Sequence, residues 1–402
     1  MKSSSPIRVL LVEDSPVALI ILKRMLSSSP EIVVVGEART GKEALALIPQ
    51  LQPQVICTDL HMPQMDGLEF TQEVMAKFPR PILVISSSVQ AENTQNVFRL
   101  LQAGAVDVFP KPRGAIFANY ESIRQELINK IKILSGVTVF TLRRKKTPPL
   151  PNQTLSAPKA TLEKSSSQWR KSRLVPDKEK NILLTINNEK TNLLQFHPKE
   201  LARDSIFSST CLEKKVLAIG ASTGGPQALH TILSQLPSDF PVPILCVQHI
   251  SEGFLQGLVD WLASESPLQV KIAGAGELPK PGTVYFPPEG VHLELDFQGR
   301  FKYSSAPPIA GHRPSVTVMF NSVARYYGKA AIGVLLTGMG RDGAEGLQAI
   351  AAAGGLTIAQ DEKTCIVFGM PKEAIALGAV HHVLPIHEIA SVLIAKLGLK
   401  KV

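Results

Sequence analysis

The chain has 402 residues, a formal charge of +9 and 44% hydrophobic residues, and 5% of its residues are aromatic. This length exceeds one ordinary hydrophobic core, so we expect two domains. The charge would suit a nucleic-acid-binding protein, but residues 143–215 hold sixteen Lys or Arg and seven Asp or Glu, a surplus of nine that accounts for the whole net charge. The regions on either side are neutral on balance, which argues against a nucleic-acid groove on either domain.

The sequence gives no sign of a secretory or membrane-spanning segment. The first apolar run, residues 7–12, is followed at once by Glu13 and Asp14, so it is too short for a signal peptide. No apolar run approaches the roughly 18 residues that span a bilayer. The cysteines are far apart, as in cytosolic proteins with reduced thiols. They are Cys57, Cys211, Cys246 and Cys365. We therefore expect a cytoplasmic protein.

Residues 1–135 alternate short apolar segments with helical patterns, which predicts a doubly wound parallel α/β sheet. The predicted strands are 8–12, 32–36, 54–58, 82–85 and 106–109. Polar residues follow four of them, namely Glu13, Asp14, Asp59, Ser86 and Lys111. Because ligands of open α/β sheets bind outside the carboxyl ends of the strands, we expect these side chains to converge in one crevice.

Three carboxylates in one crevice repel one another unless a cation joins them. An oxygen-preferring ion such as Mg²⁺ fits Glu13, Asp14 and Asp59. One oxygen of Asp59 then remains free to attack a phosphoryl group, which Ser86 can hydrogen-bond and Lys111 can neutralise. The plainer alternative for each residue alone is a solvated group at a strand end.

The sequence D-L-H-M-P-Q-M-D-G at 59–67 and F-P-K-P at 109–112 resembles the response-regulator receiver family, over about 120 residues in chain order. That resemblance implies that Asp59 accepts phosphate from a sensor histidine kinase, with Mg²⁺ as cofactor. It also implies a cis peptide bond at Lys111–Pro112.

Residues 136–213 break this pattern and are interpreted as a basic linker. A basic cluster at 143–146 precedes three prolines, and too little apolar surface is present to offset the entropy of ordering, so we expect disorder in much of the segment. Within it, two apolar runs at 182–186 and 193–196 fit a lone hairpin, a docking strip for a partner or a partly apolar spacer. The charge would suit an acidic partner or a membrane surface.

Residues 214–398 again alternate strands with helices and predict a second doubly wound parallel sheet. The predicted strands are 216–220, 244–248, 270–273, 283–286, 331–337 and 356–359. The predicted helices begin at Gln227, Gly253, Ser315, Ala344, Lys372 and His387.

The first of these strands leads into a tight, glycine-rich turn. The sequence G-A-S-T-G at 220–224 matches the G-x-S-x-G elbow, which exposes a serine hydroxyl beside backbone N–H donors. Ser222 is therefore a candidate nucleophile, with a phosphate-binding turn or a plain tight turn as alternatives. The spacings of a P-loop and of a dinucleotide fingerprint are both absent from this turn.

A serine nucleophile requires a base and a group that orients the base. His249 ends the next strand at the same sheet edge, although a structural histidine is the plainer reading. Asp342 follows strand 331–337 in a glycine-rich turn, where it would orient His249 or cap the following helix. The order Ser, His, Asp differs from the Ser, Asp, His order of α/β-hydrolases, so that fold is not indicated.

Five segments of this half are similar to the chemotaxis protein-glutamate methylesterase family, CheB, and the similarity covers nearly all of residues 214–395. They are G-A-S-T-G-G-P at 220–226, V-Q-H at 247–249, G-H-R-P-S-V at 311–316, T-G-M-G-R-D-G-A at 337–344 and Q-D-E-K-T-C-I-V-F-G-M-P at 360–371. A receiver followed by such a domain is the architecture of the whole family.

The resemblance implies a phosphorylation-activated enzyme that hydrolyses γ-glutamyl methyl esters on chemoreceptors and deamidates receptor glutamines. Ser222 would be the nucleophile, His249 the base and Asp342 its partner. The backbone N–H of Met339 would bind the oxyanion, and Thr223 would position the serine or the substrate. The esterase reaction would need no cofactor, and the unphosphorylated receiver would cover the cleft of a monomer.

Other residues in these segments remain open to two interpretations. His312 and Arg313 would either contact receptor carboxylates or serve a structural role. Residues 250–252 depart from the family pattern and would alter the pocket rim, and the linker is longer and more basic than expected. The rival functions are a receiver-controlled binding module without hydrolase activity and a DNA-binding response regulator, although no helix-turn-helix pattern follows residue 135.

Overall fold

The computed structural model describes residues 5–86, 91–112, 120–139 and 215–399, with the backbone alone at 91–95. Almost all of the predicted linker lies outside these residues, as do the two apolar runs within it. In the described part of the chain, no helix is both long and apolar enough to cross a bilayer.

The N-terminal region forms a five-stranded parallel sheet in the order β2-β1-β3-β4-β5. Its strands are β1 (Ile7–Val12), β2 (Ile32–Ala38), β3 (Val55–Asp59), β4 (Ile82–Ser86) and β5 (Asp107–Pro110). Its helices are α1 (Pro16–Ser27), α2 (Gly41–Leu51), α3 (Gly67–Lys77), α4 (Ala91–Gln102) and α5 (Tyr120–Ser135). The five predicted strands are all present. Strands β3 and β4 are buried along their whole length, as expected for a parallel sheet covered by helices on both faces.

The C-terminal region forms a seven-stranded parallel sheet in the order β14-β13-β12-β6-β7-β9-β8, plus the antiparallel hairpin β10-β11. The strands are β6 (Val216–Ala221), β7 (Ile244–Gln248), β8 (Gln269–Ile272), β9 (Thr283–Phe286), β10 (His292–Leu295), β11 (Phe301–Ser304), β12 (Ala331–Leu335), β13 (Leu356–Gln360) and β14 (His382–Leu384). The helices are α6 (Gly225–Leu233), α7 (Leu255–Glu265), α8 (Val316–Tyr327), α9 (Ala344–Ala352), α10 (Met370–Ala376) and α11 (Ile386–Lys396).

Strand β6 lies at the centre of this second sheet, and its position determines where a ligand can bind. The chain moves from β6 to β7 on one side and later returns to β12 on the other side. The strand order reverses at this point, and open α/β sheets bind their ligands outside the carboxyl ends of strands at such a switch point. The predicted doubly wound α/β fold of both regions is confirmed.

Helix α8 packs directly over the centre of the second sheet. A Cβ atom added at Gly220 would lie 2.2 Å from Cγ1 of Val316, so a glycine in β6 lets the first turn of α8 approach the strand. This close packing brings the N-terminus of α8 to the carboxyl edge of the sheet.

The two sheets belong to one compact unit, and α4 packs against α7. The rings of Phe98 in α4 and Trp261 in α7 stack with centroids 5.3 Å apart. Gln227 in α6 donates from Nε2 to the carbonyl of Ala105 over 2.7 Å. The first region therefore contacts the second beside the turn that contains Ser222.

Candidate active site

Ser222 lies on the tight turn between β6 and α6. Its N–H donates to the carbonyl of Thr337 over 3.0 Å, and its carbonyl accepts from the N–H of Gly225 over 2.7 Å. Gly224 has a φ of 76°, a conformation that favours glycine. A Cβ atom at Gly338 would lie 2.6 Å from Cβ of Ser222, so glycine there allows the loop after β12 to approach the serine.

His249 and Asp342 meet at this same edge, after β7 and β12. His249 Nε2 lies 2.9 Å from Asp342 Oδ2, and both side chains are buried. The backbone N–H of His249 donates to the carbonyl of Ala221 over 3.0 Å, which holds the histidine beside the serine turn. The strand ends thus bring the predicted histidine and aspartate into hydrogen-bonding contact.

Asp342 is held by the N-terminus of α8 and does not cap its own helix, α9. Its Oδ1 accepts from Ser315 Oγ over 2.7 Å and from the N–H of Thr317 over 3.0 Å, and its Oδ2 accepts from the N–H of Val316 over 2.8 Å. The cap position of α9 is Gly343, which has no side chain to contribute. A carboxylate at a helix N-terminus is stabilised by free N–H groups and by the helix dipole.

The charge state of Asp342 follows from these contacts. Burial alone would raise the pKa of this carboxyl, but the hydrogen bonds from His249, Ser315 and Thr317 outweigh burial and hold its pKa well below the usual range. An ionised Asp342 accepts at its bond with Nε2, so Nε2 carries a proton, and in the uncharged tautomer the lone pair of the ring lies at Nδ1.

His249 Nδ1 is buried and has no hydrogen-bond partner among the described residues. The histidine and Ser222 line one cavity of about 830 Å³, although no direct hydrogen bond joins them. The two side chains therefore line the same cavity without a hydrogen bond between them.

Two backbone N–H groups in the cavity wall could serve as donors to a ligand. Thr223 and Met339 both line the cavity, and within the described residues their N–H groups donate to no acceptor. Met339 is 51% exposed, while Thr223 is buried. Unpaired N–H groups beside a serine are the donors that an oxyanion needs.

Gln248 is a site residue that the sequence interpretation missed. It is buried, and its Nε2 donates to the carbonyls of both Ser222 and His249 over 2.7 Å. A Cβ atom at Gly225 would lie 1.9 Å from its Oε1, so the glycine leaves room for this amide. The sequence did contain a signal for this role: Gln248 is a polar residue at the end of an apolar run, and a buried polar side chain must find hydrogen-bond partners.

His312, Arg313 and His381 each make contacts within the second region. The ring of His312 stacks on the ring of His249, with centroids 3.7 Å apart and an interplanar angle of 7°. Arg313 donates to the carbonyls of Ser305 and Ala306 and also lines the cavity. Nδ1 of His381 lies 2.6 Å from the hydroxyl of Thr357.

A second polar cluster lies at the carboxyl edge of the first sheet. Ligand oxygens of Glu13, Asp14 and Asp59 lie within 4.8 Å of one another. Lys111 Nζ lies 2.8 Å from Glu13 Oε1 and 2.8 Å from Asp59 Oδ2. Ser86 is buried at the end of β4, and its carbonyl accepts from the N–H of Lys111 over 2.8 Å.

These residues fit a hard cation. Glu13 Oε2 is buried and has no hydrogen-bond partner in the described part of the chain. Burial together with the nearby Asp59 raises the pKa of Glu13 despite the contact with Lys111. An unpaired carboxylate oxygen beside two more carboxylates is the donor set that Mg²⁺ prefers. No other group of three or more potential ligands is found in the described part of the chain.

One detail implied by the receiver resemblance was wrong. Within the described residues the cis peptide bond joins Arg313 to Pro314, and Lys111–Pro112 is not cis.

Helix α5 of the first region lines the cavity that contains Ser222. Thr223 Oγ1 lies 3.5 Å from Asp107 Oδ2, which also accepts from Lys130 Nζ over 2.7 Å. Ser251 Oγ donates to Glu126 Oε1 over 3.2 Å. In this arrangement α5 and the start of β5 cover one side of the candidate site.

Comparisons with known proteins agree with this architecture. The model of the CheB methylesterase family matches residues 217–393, and that of the response regulator receiver domain matches residues 9–117. The chain is similar to protein-glutamate methylesterase/protein-glutamine glutaminase 1 of Syntrophus aciditrophicus (strain SB), with 39% identity over 393 residues, 98% of this chain and 99% of the relative. It is also similar to protein-glutamate methylesterase/protein-glutamine glutaminase 4 of Myxococcus xanthus (strain DK1622), with 37% identity over 388 residues, 96% of each chain.

Among solved structures, the chain is similar to the Thermotoga maritima CheB methylesterase catalytic domain, with 42% identity, coverage of 46% of this chain and 100% of that chain, and a TM-score of 0.45. The two relatives span nearly the whole chain at more than 30% identity. The family expected from the sequence motifs is thereby confirmed, and the chain belongs to the CheB family of protein-glutamate methylesterases/protein-glutamine glutaminases.

Proposed function

We propose that this chain is a phosphorylation-activated protein-glutamate methylesterase, with Ser222, His249 and Asp342 as its catalytic residues. Its substrates would be γ-glutamyl methyl esters on chemoreceptors, and the same site would deamidate receptor glutamines. The observation that carries the proposal is the bond between His249 and an ionised Asp342, which leaves Nδ1 of His249 without a partner among the described residues, in a side chain that lines the same cavity as Ser222.

The acylation step uses these groups in sequence. Ser222 Oγ attacks the ester carbonyl while His249 Nδ1 takes its proton, and Asp342 stabilises the resulting imidazolium. The N–H groups of Thr223 and Met339 would bind the oxyanion, and one such donor typically contributes about 2.7–4 kcal/mol to transition-state stabilisation. His249 then returns the proton to the departing methoxide, so that methanol leaves and a glutamyl ester on Ser222 remains.

Hydrolysis of this acyl-enzyme reverses the roles. His249 removes a proton from water, the hydroxide attacks the acyl carbon, and the proton returns to Ser222 Oγ as glutamate is released. With a glutamine substrate, ammonia would leave in place of methanol. No step requires a cofactor, because the side chains supply all the proton transfers.

The receiver region would supply the control. Asp59 would accept phosphate from a sensor histidine kinase, and Glu13, Asp14 and Asp59 would hold Mg²⁺. When bound, the ion would neutralise charge on the transferred phosphoryl group. Lys111 already contacts Asp59 and would pair with the product phosphate, and Ser86 would hydrogen-bond it.

Control would act by uncovering the cavity. In the described arrangement α5 lines the cavity and Asp107 contacts Thr223, so a protein substrate has restricted access to Ser222. Phosphorylation of Asp59 would shift the chain toward an open arrangement. A shift from 1:99 to 99:1 would require about 5.5 kcal/mol of differential stabilisation.

The proposal also covers the domain boundaries, the oligomeric state and the location of the protein. Residues 1–135 would be the receiver, 136–213 the linker and 214–398 the methylesterase domain. We infer a monomer that acts in the cytoplasm on the cytoplasmic helices of receptors, and no nucleic-acid partner.

Release of methanol from methylated receptors tests the proposed function. Membranes with methyl-labelled receptors are incubated with Mg²⁺, acetyl phosphate and wild-type protein, Ser222→Ala or Ser234→Ala, and volatile label is counted. Ser234 is an exposed serine at the end of α6 and serves as the matched control. We expect release by wild type and Ser234→Ala and none by Ser222→Ala. A chain that binds the membranes without releasing label would instead be a binding module.

A further inference from the structure

The ring of His312 stacks on the ring of His249, the proposed catalytic base. Their rings are nearly parallel, 7° apart, with centroids separated by 3.7 Å. Among the described residues, the ring of His249 makes one hydrogen bond, through Nε2 to Asp342, and its Nδ1 has no partner. A single hydrogen bond leaves a ring free to rotate about the line of that bond, and the terminal torsion of histidine is soft. A second contact must therefore fix the plane of the base.

His312 is held firmly enough to provide this contact. Its backbone exchanges two hydrogen bonds with Ile309, over 2.9 and 3.1 Å, across a two-residue turn. The turn residues Ala310 and Gly311 both have positive φ, 50° and 84°, as in the tight turns of β-hairpins. Three residues further on, the N–H of Ser315 donates to Nδ1 of the buried His292 over 3.1 Å.

The same short stretch also supports the partner of the base. Residues 312–317 contain the stacked imidazole at one end and, at the other, the Ser315, Val316 and Thr317 groups that bind Asp342. One short segment thus contacts both the ring face of His249 and the carboxylate that binds its Nε2.

Charge favours a neutral ring at position 312. Burial, and then the nearby His249, lower the pKa of His312 to about 4. Lys130 of α5 also lowers it, while Asp342 raises it. A neutral aromatic face beside His249 attracts the positive charge that the base gains when it takes the serine proton. A charged ring there would repel it.

We propose that His312 is a positioning residue that fixes the ring plane of His249 by stacking, so that Nδ1 points to the serine proton while Nε2 stays on Asp342. This inference rests on the proposed esterase function and deepens it. The positioning depends on the aromatic face of His312 and not on its ring nitrogens.

The full-length protein, activated with Mg²⁺ and acetyl phosphate, allows a direct test with His312→Ala, His312→Phe and the control His387→Ala, whose side chain is exposed on α11. Methanol release from methylated receptor membranes gives kcat and KM. Small misplacement of a reacting group can cost about a hundredfold in rate, so we expect His312→Ala to lose about ten- to a hundredfold in kcat with KM unchanged. We expect His312→Phe to keep most of the activity and His387→Ala all of it.

Proton NMR gives a readout besides activity. The Nε2–H of His249, bonded to Asp342, should give a far-downfield signal that His249→Gln removes. The signal should broaden in His312→Ala and persist in His312→Phe. An unchanged kcat and signal in His312→Ala would overturn the inference, as would a raised KM at constant kcat, which would make His312 a substrate contact. Absence of wild-type methanol release would refute the proposed function, and the NMR signal would still decide the role of the stack.

Discussion

Ser315 and Asp342 share a hydrogen bond of 2.7 Å, from the serine hydroxyl to Oδ1 of the carboxylate. The same hydroxyl accepts from the N–H of Val318 over 3.3 Å and so caps helix α8. One buried side chain therefore starts the helix and also ties its N-terminus to the carboxylate beside His249. The stability of α8 and the orientation of Asp342 are coupled through this hydroxyl.

Replacing Ser315 with alanine should remove both the cap of α8 and the hydrogen bond to Asp342. Loss of a cap typically costs about 0.5–2 kcal/mol, and loss of a hydrogen bond to a charged group about 1.5–3 kcal/mol. We expect Ser315→Ala to lower the free energy of unfolding by about 2–3 kcal/mol in urea titrations and to reduce kcat. Thr40→Ala, which removes the cap of α2 in the receiver, is the matched control. It should lower stability without changing kcat of the phosphorylated enzyme.

The depressed pKa of Asp342 makes a separate prediction about acid stability. Because the folded state favours the ionised carboxyl, its contribution to the free energy of unfolding is fully present above the ordinary pKa of 3.8 and is lost as pH falls below it. The stability difference between wild type and Asp342→Asn should therefore shrink between about pH 4 and pH 2. Urea unfolding at several pH values measures it. A difference that stays constant over this range would contradict the assigned charge state.

Gln248 supplies a third prediction, because one amide joins the backbones of Ser222 and His249. In Gln248→Glu a carboxylate oxygen would face two carbonyl oxygens in a buried place. Gln248→Met would remove the donor and keep a similar volume. The carbonyl of His249 would then lose its donor, at a cost of about 1–3 kcal/mol, while that of Ser222 would keep the N–H of Gly225. We expect both variants to lose kcat, with the larger loss in Gln248→Glu.

Gln235 provides the control for these variants. Its amide donates to the carbonyl of Thr231 over 2.6 Å on the exposed surface beyond α6. Gln235→Glu and Gln235→Met should leave kcat unchanged. Equal kcat values in Gln248→Met and wild type would show that the amide does not position the site.

The strands that carry the candidate residues could be predicted because they are buried on both faces and read as continuous apolar runs. The short strand β14 and the hairpin β10-β11 were missed, since segments of three or four residues are too short to show a clear period. Parallel strand ends predicted that His249 and Asp342 would be neighbours. The contacts that hold Asp342 could not be predicted, because they come from the N-terminus of α8, about 26 residues earlier in the chain.

Asp107 should restrain the unphosphorylated enzyme. Its carboxylate lies between Lys130 of the receiver and Thr223 of the cavity wall, so Asp107→Asn weakens both contacts. Loss of about 1 kcal/mol of closed-state contact would raise basal methanol release about fivefold and lower the stimulation by acetyl phosphate. Asp239→Asn, in an exposed loop, is the control. Basal activity equal to wild type would mean that this contact does not contribute to closure.

The carboxylate cluster of the receiver predicts a pH-dependent affinity for Mg²⁺. Glu13 has a raised pKa because of burial and of nearby Asp59, and a metal ion must displace its proton before binding. Mg²⁺ affinity should therefore fall as pH drops through the raised pKa of Glu13, and Glu13→Gln should bind the ion weakly at every pH. At a concentration of 100 Kd, a ligand stabilises the folded state by about 2.7 kcal/mol, which a melting-temperature shift can detect. Glu37→Gln, which removes a surface ion pair with Lys23, should respond to Mg²⁺ as wild type does. A Mg²⁺-induced shift of equal size in Glu13→Gln and wild type would exclude Glu13 as a ligand.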